Sequence, residues 1–149
     1  MRRAIEVLNG PNLNLLGQRE PHLYGTATLG DVEELCVTTA GRFGLQVRCV
    51  QSNHEGVLID AVHEMRSGAA GFVVNLGAFT HTSVALRDAL ATVSGPVLEV
   101  HISNVHAREP FRQTSYVSDL AAAVIVGCGI SGYRFAVERL AELLAADGT

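Results

Sequence analysis

Residues 4–8 have the sequence Ala-Ile-Glu-Val-Leu and are followed at once by Asn9-Gly10-Pro11-Asn12. A short run of apolar, largely β-branched residues is typical of a buried strand in a parallel sheet. Runs of the same kind predict four further strands, over residues 45–50, 72–75, 97–102 and 122–126. Apolar residues at helical spacing predict helices between and after them, over residues 29–43, 57–66, 83–93 and 133–145. The alternation predicts one α/β domain, residues 1–149, whose five-stranded parallel sheet has helices on both faces.

Composition excludes several classes of function. The 149 residues are 48% hydrophobic and 17% charged, which favours one well-packed domain over a disordered chain. The net charge of -4 gives phosphates no uniform attraction, so we expect no nucleic-acid partner. All eleven basic residues are arginines, which excludes a lysine Schiff base, lysine-bound pyridoxal phosphate and a P-loop.

Location is predicted from the cysteines and the apolar runs. The three cysteines lie far apart in the sequence, which favours a reduced compartment. The longest apolar run, residues 120–130, is too short to cross a bilayer, and the N-terminal stretch lacks the pattern of a signal peptide. We therefore expect a cytoplasmic protein with no membrane partner.

Functional groups of such a sheet gather beyond the carboxyl ends of the strands, where two long loops are predicted. The first, residues 9–28, contains three asparagines within six positions, followed by Arg19 and Tyr24. Turn formation explains each asparagine by itself, since Asn, Gly and Pro are ordinary turn residues. Arg19 and Tyr24 on the same loop favour a site in which a guanidinium stabilises a phenolate base.

The fourth predicted strand ends with a carboxylate and an imidazole. Glu99 and His101 are two positions apart, so both project from the same face of the strand. The pair is either a general acid with the residue that orients it, or a polar pair satisfied at a strand end. His106, Arg108 and Arg112 follow in the loop 103–115 and suit either an anionic substrate or a solvated surface.

Residues 75–83 follow the third strand and open a helix. Asn75 and His81 are therefore candidates for binding substrate hydroxyls, and Thr80 or Thr82 is the expected N-cap. Residues 127–132 match the G-x-G-x-x-G pattern of a dinucleotide site, but only seventeen residues follow, so we interpret the glycines as close helix–sheet packing. The chain lacks the H-E-x-x-H and paired Cys/His spacings of metal sites, and we expect no metal.

Several motifs in order extend over nearly the whole chain: NGPNLNLLG at 9–17, REP at 19–21, QSNHEG at 51–56, THTSVALRD at 80–88 and EVHISN at 99–104. In these motifs the sequence resembles the type II 3-dehydroquinate dehydratases of the shikimate pathway. The resemblance implies a flavodoxin-like fold, no cofactor, and a homo-oligomer that is usually a dodecamer built from trimers. It also implies anti elimination of water from 3-dehydroquinate to give 3-dehydroshikimate, in aromatic biosynthesis or in quinate breakdown.

The resemblance also implies roles for individual residues. Tyr24 would remove the C2 proton, with Arg19 stabilising its phenolate, and Asn12 would hold a water that stabilises the enolate. His101, oriented by Glu99, would protonate the departing C1 hydroxyl. The substrate would be bound by the side chains of Asn75, His81 and Arg112, by the backbone N–H groups of Ile102 and Ser103, and by Asp88 of a neighbouring subunit.

The main alternative is a flavodoxin-like module that binds FMN without catalysis. Such a module would use a Ser/Thr-rich phosphate loop after the first strand, where this chain has asparagines, and the chain contains no tryptophan to stack on a flavin.

Overall fold

The computed structural model describes residues 3–148, which form a five-stranded parallel sheet in the order β2-β1-β3-β4-β5. This confirms the predicted sheet, with strand ends within two residues of the predicted ones. The strands are β1 (Ala4–Asn9), β2 (Gln46–Gln51), β3 (Gly71–Asn75), β4 (Val97–His101) and β5 (Ala123–Val126).

The four predicted helices are present, together with a short helix that was not predicted. The helices are α1 (Pro21–Tyr24), α2 (Leu29–Gly41), α3 (Glu55–Met65), α4 (Val84–Leu90) and α5 (Ser131–Ala146). Four 3-10 turns lie in the loops after β1, β3 and β4, at Leu13–Leu15, Gly77–His81, Val105–Ala107 and Pro110–Gln113.

The helix starts are set by their caps. Thr28 caps α2 as a capping box with Asp31, because each side chain accepts a hydrogen bond from the other residue's backbone N–H. The expectation that Thr80 or Thr82 caps α4 is wrong. Residues 77–81 form a separate 3-10 turn, so α4 begins later, with the Ser83 hydroxyl accepting from the Leu86 N–H at 2.9 Å.

Two apolar clusters cover the two faces of the sheet. One contains Ile5, Val7 and Val73 with residues of α2 and α5, and the other contains Leu8 and Val74 with residues of α3 and α4. β3 and β4 are buried along their whole length, as is β1 after its first residue. This double coverage explains the continuous apolar runs of these strands.

The chain leaves β1 and β3 towards opposite faces, because α2 follows β1 and α4 follows β3. A crevice therefore opens at the carboxyl ends of these two neighbouring strands. Gly10 lies where the two departing segments meet, and its N–H donates to the carbonyl of Asn75 at 2.8 Å. A Cβ at this position would lie 2.0 Å from the carbonyl oxygen of Leu76.

Gly10→Ala should therefore lower the free energy of unfolding by about 3 kcal/mol, the upper end of ordinary overpacking costs, because both clashing groups are backbone. Gly56→Ala is the control, since a Cβ there meets nothing within 4 Å. At this exposed position of α3 the alanine should raise the free energy of unfolding by about 0.4–1 kcal/mol. Urea denaturation measures both values. Equal stability of the two variants would contradict the close approach at Gly10.

Candidate active site

A cavity lies beyond the carboxyl ends of β1, β3 and β4. Nine of the predicted site residues line it: Asn12, Arg19, Tyr24, Asn75, His81, His101, Ile102, Ser103 and Arg112. Two others lie elsewhere. Glu99 is buried behind His101, and Asp88 is exposed on α4, outside the cavity of its own chain.

The charge of the cavity wall is positive. Arg19, Arg108 and Arg112 line the cavity, and no aspartate or glutamate is among its lining residues. Arg112 Nε donates a hydrogen bond to Glu109 Oε1 at 3.0 Å. This hydrogen bond holds the pKa of Glu109 below its ordinary value. Guanidinium groups stay charged and bind carboxylates well, so the cavity suits an anionic ligand.

Tyr24 is the last residue of α1, whose single turn begins with Pro21 at its first position. The phenol oxygen accepts a hydrogen bond from Arg108 Nη1 at 2.9 Å, and the same nitrogen lies 3.1 Å from the Ser103 hydroxyl. Arg19 approaches differently, with its Cζ 4.9 Å from the centre of the tyrosine ring. Two guanidinium groups thus surround the phenol, one at its oxygen and one over its face.

The structure corrects two expectations about Tyr24. Tyr24 was expected on an irregular loop, whereas it lies on a helical turn. The cation at the phenol was expected to be Arg19 alone, whereas the hydrogen bond comes from Arg108, 84 positions along the chain. The sequence did place Arg108 in the long loop after the fourth strand, but that position does not show that Arg108 contacts Tyr24.

The predicted contact between Glu99 and His101 is confirmed. His101 Nε2 hydrogen-bonds to Glu99 Oε2, and both side chains are almost fully buried. Burial acts to raise the pKa of Glu99, but hydrogen bonds from His101, Ser118 and Ser115 outweigh it and hold this pKa below its ordinary value. The carboxylate is therefore charged and can orient a protonated imidazole, whose Nδ1 remains as the second proton-bearing nitrogen.

His81 has a defined tautomer. Its Nδ1 lies 2.7 Å from the carbonyl oxygen of Thr114, and a carbonyl only accepts, so Nδ1 carries the proton. Burial lowers the pKa of His81, and the charges of His101 and Arg112 act in the same direction against the Thr114 hydrogen bond. A neutral His81 offers Nε2 as an acceptor for a ligand hydroxyl.

Asn12 is held in place by a residue of the loop that follows β2. Its φ of 69° is left-handed, and its backbone N–H donates to the side chain of Asn53 at 2.9 Å. Gln51 donates to the carbonyl of Gly10 at 3.1 Å. Asn53 and Gln51 were not predicted as site residues, although both belong to a motif that the sequence analysis singled out.

A buried hydroxyl fixes the amide of Asn75. Tyr133 of α5 donates to Asn9 Oδ1 at 2.6 Å and accepts from Asn75 Nδ2 at 2.9 Å. Asn75 Oδ1 in turn accepts from the Gly77 N–H at 3.2 Å. Tyr133 was not predicted from the sequence; it is fully buried, and its hydroxyl joins the side chains at the ends of β1 and β3.

Within residues 3–148, no group of three or more His, Cys, Asp or Glu side chains is placed to hold a metal ion. In the same residues no helix is long and apolar enough to cross a membrane. The glycine motif at 127–132 packs closely, since a Cβ on Gly132 would lie 3.2 Å from Val100 and 3.3 Å from Ile125.

The fold and the site define an α/β protein with acid–base groups at the carboxyl edge of a flavodoxin-like sheet. The chain belongs to the dehydroquinase class II family, whose family model matches residues 3–141. A catabolic 3-dehydroquinase 2 from Aspergillus flavus is 62% identical over 141 residues, covering 95% of this chain and 94% of that protein. A 3-dehydroquinate dehydratase from Streptomyces coelicolor is 59% identical over 143 residues, covering 95% and 91%. The type II dehydroquinase structure from Butyrivibrio crossotus has a TM-score of 0.89 and 44% identity, covering 93% of this chain and 97% of that one.

Tyr133→Phe should lower the free energy of unfolding by about 1–3 kcal/mol, because the amides of Asn9 and Asn75 lose a buried partner. It should also weaken ligand binding, because the Asn75 side chain keeps only the hydrogen bond from the Gly77 N–H and is held less firmly. Urea denaturation and a ligand titration measure the two effects. The control is Tyr116→Phe, since Tyr116 is partly exposed and lies outside the crevice. Equal behaviour of the two variants would contradict the assigned role of the buried hydroxyl.

Proposed function

We propose that this protein is a type II 3-dehydroquinate dehydratase, which removes water from 3-dehydroquinate to give 3-dehydroshikimate. The observation that carries the proposal is one arginine-lined cavity holding both a phenol contacted by guanidinium groups and an imidazole paired with a buried carboxylate. Removing a proton next to a ketone needs a base and stabilisation of the enolate, and expelling hydroxide needs an acid. The cavity contains groups for all three tasks.

Tyr24 is the base in this proposal. Its phenolate takes the proton from C2, and the electron pair moves into the enolate of the C3 ketone. The hydrogen bond from Arg108 and the guanidinium of Arg19 over the ring both favour the phenolate form. Asn12, held in its turn by Asn53, positions a water that donates to the enolate oxygen.

His101 is the acid. As the enolate collapses, the C1–O bond breaks and the imidazolium gives its proton to the departing hydroxide, so water leaves. Glu99 orients the ring and stabilises its charged form. Asn75, His81 and Arg112 bind the ring hydroxyls, and the backbone N–H groups of Ile102 and Ser103 hold the substrate carboxylate.

We further propose that residues 1–149 form one catalytic domain that works in the cytoplasm as a dodecamer of four trimers. Asp88 then acts in the site of a neighbouring subunit. Two features of α4 support this: Asp88 points away from its own cavity, and Val84, one turn earlier, is 55% exposed although it is apolar.

Tyr24→Phe should lower kcat by about 10²-fold or more, the scale of lost acid–base catalysis, while KM changes little. Arg108→Leu should also lower kcat, because the phenolate loses its hydrogen bond. Absorbance of the conjugated enone product measures turnover. Tyr116→Phe is the control and should keep wild-type kcat. Near-normal turnover of Tyr24→Phe would mean that another group is the base.

Asp88→Asn should raise KM by about 10-fold or more, since a charge-assisted hydrogen bond contributes roughly 1.5–3 kcal/mol. Sedimentation velocity measured beside the kinetics shows whether the trimer loosens as well. Asp60→Asn, on the exposed surface of α3, is the matched control. Unchanged KM and unchanged sedimentation in Asp88→Asn would remove this residue from the site.

A further inference from the structure

The carboxylate of Glu99 has two partners besides His101. Ser118 Oγ donates to Oε1 at 2.7 Å, and Ser115 Oγ lies 3.0 Å from Oε2 and 3.2 Å from Oε1. Both serines come from the segment between the last 3-10 turn and β5. Neither is among the residues that line the substrate cavity.

The direction of the Ser115 hydroxyl is fixed by its other contacts. The N–H groups of Val117 and Ser118 both donate to Ser115 Oγ at 3.2 Å. A serine oxygen has two acceptor sites and one proton, so two donors occupy both acceptor sites. The remaining proton must then be donated, and Glu99 is the acceptor within reach.

A salt bridge from α4 holds the serine segment in place. Arg87 Nη1 donates to the carbonyl of Tyr116 at 2.7 Å, and Arg87 binds both carboxylate oxygens of Asp119, with Nη2 2.9 Å from Oδ2. The two serines flank Tyr116 and precede Asp119. Their hydroxyls are therefore positioned by a contact that is independent of Glu99 itself.

The serines and Glu99 line a second cavity of about 140 Å³, which shares His81, His101, Val105 and Arg112 with the substrate cavity. The titratable and charged groups that share this cavity with Glu99 are His101 of β4, His81 from the segment after β3, and His106 and Arg112 from the segments after β4. β5 contributes only valines.

We propose that Ser115 and Ser118 are positioning residues for the acid step, whose hydroxyls keep Glu99 ionised so that His101 remains a proton donor. The inference rests on the proposed function, because it needs His101 as the acid. Burial opposes the negative charge of Glu99, and the two hydroxyls are its only described donors apart from His101. Without them the carboxyl takes up a proton more readily, and a neutral carboxylic acid no longer stabilises an imidazolium.

The test compares the double variant Ser115→Ala/Ser118→Ala with the wild type by the pH dependence of kcat. Loss of the hydroxyls raises the pKa of Glu99, so activity should disappear at higher pH as the solution is acidified. We expect the acidic limb to move upward by about one pH unit or more, with KM near neutral pH unchanged. Ser115→Ala/Ser118→Thr keeps a hydroxyl at position 118 and should show a smaller shift than the double alanine variant.

Thr39→Val is the matched control, because Thr39 is a buried hydroxyl of α2 that donates to the Leu35 carbonyl at 2.7 Å, far from Glu99 in the fold. It should lower stability without moving the acidic limb. An unmoved limb in the serine variant, or an equal shift in Thr39→Val, overturns the proposal. If the double variant does not fold, the single variant Ser118→Ala is measured, with the same expected direction.

A second measurement separates this proposal from the proposed function. The carboxyl carbon of Glu99, assigned with Glu99→Gln, is titrated by NMR without substrate. The serine variant should titrate at higher pH than the wild type. If the wild type lacks dehydratase activity but the titration shifts, the proposed function and the acid step fail, while the effect of the two serines on the charge of Glu99 stands. If the wild type is active and the titration does not shift, only the serine proposal fails.

Discussion

The hydroxyl of Tyr133 joins the ends of β1 and β3, and the geometry of the cavity depends on this contact. The two strands send their chains to opposite faces of the sheet, and the polar side chains at their ends, Asn9 and Asn75, are buried between the departing segments. A buried amide without a partner costs about 1–3 kcal/mol. Tyr133 is the partner of both Asn9 Oδ1 and Asn75 Nδ2, and with the Gly77 N–H at Asn75 Oδ1 it presents Asn75 to the cavity in one orientation.

Two buried glutamates show how the same residue type acquires opposite properties. Burial raises the pKa of Glu6 to about 7 and outweighs the hydrogen bond and charge of its partner Arg48, which is shared with Glu64 and lies on the partly exposed edge strand β2. Glu99 is buried to a similar extent, but its carboxylate accepts from two serines and a histidine, which keeps its pKa low. The number of hydrogen-bond donors to the carboxylate, more than its burial, therefore decides which glutamate stays ionised and can stabilise a neighbouring positive charge.

The sequence was sufficient to predict those features that follow from the regular repeat of side chains along a strand or helix. The strands were predicted from apolar runs, and the contact between Glu99 and His101 from the two-residue repeat of a strand, which holds whatever surrounds it. The helix Pro21–Tyr24 was not predicted, because four residues are too few to show a helical period. The hydrogen bond between Arg108 and Tyr24 was not predicted, because the two residues are 84 positions apart and only the tertiary fold brings them together.

The glycine motif at 127–132 shows why a local pattern does not define a ligand. Two of its three glycines lie in tight packing, since a Cβ on Gly127 would lie 3.2 Å from Asn104 and one on Gly132 equally close to Val100, whereas one on Gly129 would meet nothing within 4 Å. In a dinucleotide site the same absence of side chains lets the backbone approach a pyrophosphate. Here it lets the start of α5 approach β4 and β5, and the next residue, Tyr133, is buried in the core between α5 and the sheet. The motif therefore contributes to the site through the position of one hydroxyl, and tight packing at Gly127 and Gly132 accounts for these two glycines without a ligand.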